Sequence, residues 1–146
     1  MADPAQDAAF RAAMYGPPGW RFTLEPVRHG RPPWAPGGEA WAIVTAWNPA
    51  GHPQGEAENR AAAAELDRAL RALGRPERPV VNGSGPWEEE ARLISGLDLT
   101  GAAALGWRFR QRAVLWGRGG RVALVWLEGG IVRTERFWVR RSGTPD

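Results

Sequence analysis

Residues 41–59 read WAIVTAWNPAGHPQGEAEN, and their pattern decides the fold. Trp41 to Trp47 is apolar on both faces except at Thr45, the signature of a strand covered on both sides. Alternation along a strand places Thr45 on the same side as Trp41, Ile43 and Trp47. Asn48-Pro49 ends the strand, because Pro cannot donate to a ladder and Asn readily satisfies a turn. The loop runs to Gly55 at a helix-cap position. Glu56 to Leu73 then carries Asn59, Ala62 or Ala63, Leu66, Leu70 and Leu73 at helical spacing, with Gly74 and Pro76 as the stop. Asn59 falls in the first turn of this buried stripe, where an unpaired amide costs about 1–3 kcal/mol. It needs a partner, and the Asn-Pro loop is the nearest source.

Downstream, Pro79 to Asn82 and Glu90 to Ser95 read as short strands joined through Gly83, Gly85, Pro86 and Trp87. Asp98 or Thr100 caps a shorter helix carrying Ala103, Leu105 and Phe109. Arg112 to Trp116, Val122 to Leu127 and Ile131 to Val139 follow as strands, broken at Gly117–Gly120 and Gly129-Gly130, both hairpin signals. Upstream, Pro4 to Met14 predicts a helix with Asp3 as N-cap, docking Phe10, Ala13 and Met14 on the body. Trp20 to Val27 alternates as a half-buried strand, and His29 to Gly38 is a Gly/Pro-rich loop. The order predicts a single compact α+β domain. Its expected parts are a mixed, mostly antiparallel sheet around a split βαβ (ferredoxin-like) core, two main helices on one face, and a short N-terminal helix. Residues 1–18 form the N-terminal helix and linker, 20–139 the sheet and helices, and 140–146 a flexible tail.

Composition narrows the chemistry. With no Cys, disulfides, thiolate metal sites and Cys nucleophiles are excluded, and a cytoplasmic protein is expected. No signal peptide is legible in MADPAQDAAF, and no run reaches membrane-spanning length. All 19 basic residues are Arg, and the formal charge is +3. The charge is uneven: residues 79–100 hold one Arg against four acids, and residues 101–146 hold nine Arg against three acids. The last third is therefore a candidate basic face.

Thr45-Ala46-Trp47-Asn48-Pro49, then Gly51 and Asn59, then Trp87 with Glu89, then Phe109-Arg110-Gln111-Arg112-Ala113 form an ordered set of motifs. Over about residues 40–116 they resemble a bacterial family known as domain of unknown function 3293. Its pattern is roughly T-A-x-N-P-x-G-x-x-L-S-x-x-x-N, W-x-E-x-S and F-x-Q-N-A. This chain departs from it with Gln54 for Leu, Gly55 for the capping Ser, Ala91 for Ser and Arg112 for the second Asn. The resemblance implies a small cytoplasmic protein and brings no activity with it.

Thr45, Asn48, Asn59, Trp87, Glu89 and Gln111 are the candidate ligand-binding residues, gathered at one rim of the sheet where ligands of α/β sheets commonly sit. Amides there suit a small polar ligand or a partner loop; equally, such residues lock turns to a core. The expected function is a non-catalytic binding or accessory domain. The alternative is nucleic-acid binding through Arg108, Arg110, Arg112, Arg136, Arg140 and Arg141, with interleaved Trp as stacking surfaces. An enzyme using Glu89 as acid/base ranks last. No catalytic residue is assigned, since Ser84, Ser95 and Ser142 lie in no nucleophile pattern. No cofactor or metal is expected, His29 and His52 being far apart without ligand spacing. A homodimer through an exposed C-terminal strand edge is the remaining partner expectation.

Overall fold

In the computed structural model, which describes residues 3–143, the apolar run at Trp41 forms β2 (Ala40–Val44) and the helical stripe forms α2 (Glu56–Leu73). Around them lie α1 (Pro4–Ala12), β1 (Phe22–Glu25), β3 (Glu77–Asn82), β4 (Glu89–Ser95), α3 (Leu99–Arg108), β5 (Ala113–Arg118), β6 (Arg121–Trp126) and β7 (Arg133–Arg141). The strand expected over 41–47 stops at Val44. There the Thr45 hydroxyl donates to the Glu90 carbonyl at 2.6 Å and accepts the Trp47 N–H at 3.1 Å, drawing the chain out of the ladder. Of the two cap candidates for α3 it is Asp98 that caps, accepting the Gly101 N–H at 2.7 Å.

The strands form one sheet in the order β1-β7-β6-β5-β2-β4-β3. Every pairing is antiparallel, a simpler sheet than the mixed one expected. The reason lies in the connections. α2 carries the chain from β2 past one position to β3, and β4 fills the gap; α3 carries it from β4 past β2 to β5. Strands joined by a helix are thus never neighbours.

Alternation along β2 divides two cores. Ala42 and Val44 face Leu66, Ala69 and Leu70 of α2 and Ala102, Ala103 and Leu105 of α3. Trp41 and Ile43 face the other way, into a cluster with Tyr15, Phe22, Leu93, Leu115, Leu124 and Trp126. Phe10 and Ala13 pack on this second cluster as their apolar positions predicted, whereas Met14, the third position expected to dock, is not part of it, and the helix ends at Ala12. The sheet has helices on both sides: α2 and α3 on one, α1 on the other.

The sheet curls until its outer strands share a seam. Tyr15 exchanges backbone hydrogen bonds with Phe22 of β1 at 2.9 and 2.8 Å. Its neighbours Gly16 and Met14 accept the N–H groups of Val81 in β3 and of Gly83, at 3.2 and 2.7 Å. Arg21 reinforces the seam, its guanidinium donating to the carbonyls of Gly16, Val81 and Gly83. The second core is the interior of this ring.

Two expectations about the C-terminus change. β7 is not the sheet edge: Trp138–Arg141 pairs with β1 and Arg133–Trp138 pairs with β6, the two stretches overlapping at Trp138. Pairing with a second copy along the whole strand is blocked, because β1 already occupies half of it. Arg140 and Arg141, expected in a tail, end β7 opposite Thr23 and Phe22, while residues 144–146 of that tail lie outside the described residues.

Candidate functional site

The Asn-Pro joint assembles around two amides. Asn48 adopts a left-handed backbone (φ 47°), which its short polar side chain tolerates. Its N–H donates to Asn59 Oδ1 at 3.1 Å, and its Oδ1 accepts the Asn59 Nδ2 amide at 3.1 Å and the Gln54 N–H at 3.0 Å. Gln54 Nε2 donates to Asn59 Oδ1 at 2.8 Å. The partner that Asn59 needs is therefore the Asn48 loop, as its place in the buried stripe required. At the head of α2, Glu58 accepts the Gly55 N–H at 2.9 Å and supplies a cap that Gly55 cannot.

Glu89 closes the group, accepting Asn48 Nδ2 at 2.8 Å. Burial pushes its carboxyl above the usual carboxylate range, and the Asn48 amide pulls it partly back. Burial, with the nearby Glu89 charge, also raises the Tyr15 hydroxyl well above its ordinary value. Gln111 Nε2 donates to the carbonyls of Trp47 and Phe109 at 3.0 and 3.2 Å, tying the end of α3 to the joint. Ala50 and Arg110 are both left-handed without being Gly, and the Ala50 N–H donates to the Arg110 carbonyl at 2.7 Å. Such conformations cost energy and persist only where their surroundings enforce them.

Five of the six strand-end candidates thus meet at or flank one joint: Asn48, Asn59 and Glu89 directly, Thr45 and Gln111 through the backbone on either side. Trp87 stands apart. It lies in the turn before β4 with its indole 79% exposed, and no hydrogen bond joins it to the amides.

The six candidate arginines are dispersed. Arg108 ends α3, its guanidinium 5.4 Å from the Phe109 ring, and Arg110 follows. Arg136 and Arg140 project from β7 opposite to the inward Phe137 and Val139, and Arg141 donates to the Gly19 carbonyl at 2.9 Å. Arg112 is corrected from a surface residue to an internal one. It lies 2.8 Å from Asp7 and 3.4 Å from Glu128, and donates to Gln6 Oε1 at 2.5 Å. At the family's Asn position, this chain has an arginine that clamps α1 to the body.

A second cluster forms where the sequence showed only a loop and a turn. Arg28, His29, Gly30 and Arg31 face Arg118, Gly119, Gly120 and Arg121 across a cleft of ≈ 360 Å³ bordered by Gly38 and Trp138. The legible signal was the repeated pattern of two arginines around glycine, RHGR at 28–31 and RGGR at 118–121. The register sets this cleft at the Ala40–Arg118 end of the sheet, whereas the Asn-Pro joint follows Val44 at the other end.

No curated protein and no solved structure matches the chain. Residues 44–114, which hold the joint and end before the RGGR turn, match the model of a family described as protein of unknown function (DUF3293), and over them the chain resembles that family.

Proposed function

We propose that the protein is a non-catalytic binding domain whose ligand is nucleic acid, held electrostatically by its arginines. One observation carries this reading: of the nine arginines in residues 101–146, all but Arg112 stand without an ion pair among the described residues. Natural surfaces ordinarily intersperse both signs of charge, and uncompensated arginines attract phosphates. Catalysis finds less support. His29 lines the cleft at one end of the sheet and His52 borders Arg112 and Glu128 at the other, so neither histidine can act with the other. Anisotropy with labelled single-stranded and duplex oligonucleotides at about 50 and 200 mM salt tests the reading. Affinity falling steeply with salt is expected; no binding at the lower salt removes it.

The strand order β5-β2-β4-β3, with α2 and α3 as crossovers, supports a split βαβ unit of the ferredoxin-like kind at the centre of the domain. The Cys-free composition accords with a cytoplasmic setting.

A second reading, a polar ligand or partner segment held at the Asn-Pro joint, is favoured by the left-handed Ala50 and Arg110 and by the exposed Trp87, two positions before Glu89 in sequence. Backbone strain concentrates at functional sites. A thermal-shift screen tests it: a ligand of this site raises the melting temperature of wild type and not of Trp87→Ala. If every amide remains engaged internally and no compound acts, the joint is scaffold alone.

A further inference from the structure

The cleft between the 28–31 loop and the β5–β6 turn lies outside the residues that match the family model, and its construction is specific. Its two walls meet backbone to backbone. A Cβ on Gly120 would lie 2.5 Å from the Gly30 carbonyl oxygen, and one on Gly119 would lie 3.3 Å from Gly38 Cα. The Trp41 indole N–H pins the turn from inside, donating to the Gly119 carbonyl at 2.9 Å. The Arg31 guanidinium holds its own loop by donating to the Pro36 carbonyl at 2.7 Å. Glycines thus bring the walls together, and each wall carries two exposed arginines.

No carboxylate lines the cleft. Glu39, next to Gly38, accepts the Gly37 N–H at 2.9 Å, and Glu25, across from Trp138 on β1, accepts the Thr23 hydroxyl at 2.8 Å. None of Arg28, Arg31, Arg118 and Arg121 forms an ion pair among the described residues. Four like charges on a concave surface focus a positive potential and repel one another until an anion enters. Trp138 forms part of the wall, with the guanidiniums of Arg121 and Arg28 centred 4.6 and 5.4 Å from its ring. Aromatic faces among arginines are how single strands are gripped without sequence preference, bases on the ring and phosphates on the cations.

We propose that this cleft is a nucleotide-binding site, taking the phosphate between the two Arg-Gly walls and the base against Trp138. It rests on the nucleic-acid reading above for its larger ligand, a single strand threading the cleft, while a free nucleotide offers the same chemistry. The test uses a short labelled single-stranded RNA and, separately, ATP, titrated into wild type, Arg28→Ala/Arg121→Ala and Arg136→Ala/Arg140→Ala. All four positions are exposed, and unchanged melting temperatures confirm folding. Strand affinity at low salt is expected to fall at least ~10-fold in the first double variant, with a shallower salt dependence, and far less in the second. A strand that binds both variants as it binds wild type overturns the cleft and leaves the general reading standing. ATP binding lost in the first variant, with no strand binding by wild type, keeps the cleft and removes the nucleic-acid reading. Failure of wild type to bind either ligand removes both.

Discussion

Asn59 shows what a single buried amide decides. It is 5% exposed in the first turn of α2, and its two side-chain atoms serve three partners on Asn48 and Gln54. Asn59→Ala strands the Asn48 N–H and the Gln54 amide, so a loss of about 2–3 kcal/mol is expected in urea melts, near the upper range for unsatisfied buried groups. Glu89 makes a pH-dependent prediction. Because burial raises its carboxyl above the unfolded value, the folded chain binds the proton more tightly. Its favourable contribution is complete below the unfolded value and is lost as pH rises through the folded one. Glu89→Gln keeps an oxygen for Asn48 Nδ2 and removes the charge. The variant should therefore melt at or above wild type at neutral pH, with less loss of melting temperature between acid and neutral pH. A variant melting well below wild type at neutral pH would show the charge to be stabilising.

Among the elements, β5 carries the sharpest packing constraint. Gly117 lies across from Trp41 in the β2–β5 register. A Cβ there would come within 2.5 Å of the Trp41 ring and 2.8 Å of the Arg121 carbonyl oxygen. Propensity favours Ala over Gly in a strand by roughly 0.5–1 kcal/mol. The clash outweighs it, because Trp41 is fully buried and its indole is tied to Gly119. Gly117→Ala is expected to destabilise by about 1–3 kcal/mol, the range for overpacked cores, measured by denaturant melts. It should also disturb the turn that carries Arg118 and Arg121. The strand at Trp41 was legible in its apolar run, and the helix at Glu56 in its stripe and Gly74 stop. The break at Thr45 was not, since it depends on a carbonyl at Glu90 that arrives from another strand.

At the scale of the molecule, the ring is held shut at the seam between β1 and β3. Arg21 spans it, donating to carbonyls contributed by residues 16, 81 and 83. Burial lowers the pKa of this guanidinium while the Glu88 charge raises it. Arg21→Ala leaves the seam carbonyls short of donors and is expected to cost about 1–3 kcal/mol. Arg21→Lys should recover only part, because a compact ammonium cannot reproduce a planar fork of donors. Hydrogen exchange would locate the effect: faster exchange at Val81 and Gly83 in both variants is expected, with α3 unchanged. Uniform acceleration throughout would place Arg21 in the global core instead. Among the described residues no helix is long and apolar enough to cross a membrane.

By itself the sequence determined the local grammar: which segments are strands or helices, where Asp3 starts α1 and Gly74 stops α2, and that Asn59 must find a partner. Period, caps and turn chemistry are written in neighbouring residues, so they survive without a fold. The strand-end residues were legible as polar positions on apolar segments. The pairing of Asn59 with the Asn-Pro loop was legible too, but the bond from Asn48 to Glu89 was not, because the two are far apart in the chain and meet only through the order β2-β4-β3. Tertiary structure alone decided three further things. It curled the sheet until Tyr15 joined its edges, turned Arg112 inward onto Asp7, and set RHGR against RGGR. Each depends on contacts between segments distant in sequence, and no local pattern encodes which distant backbone will arrive.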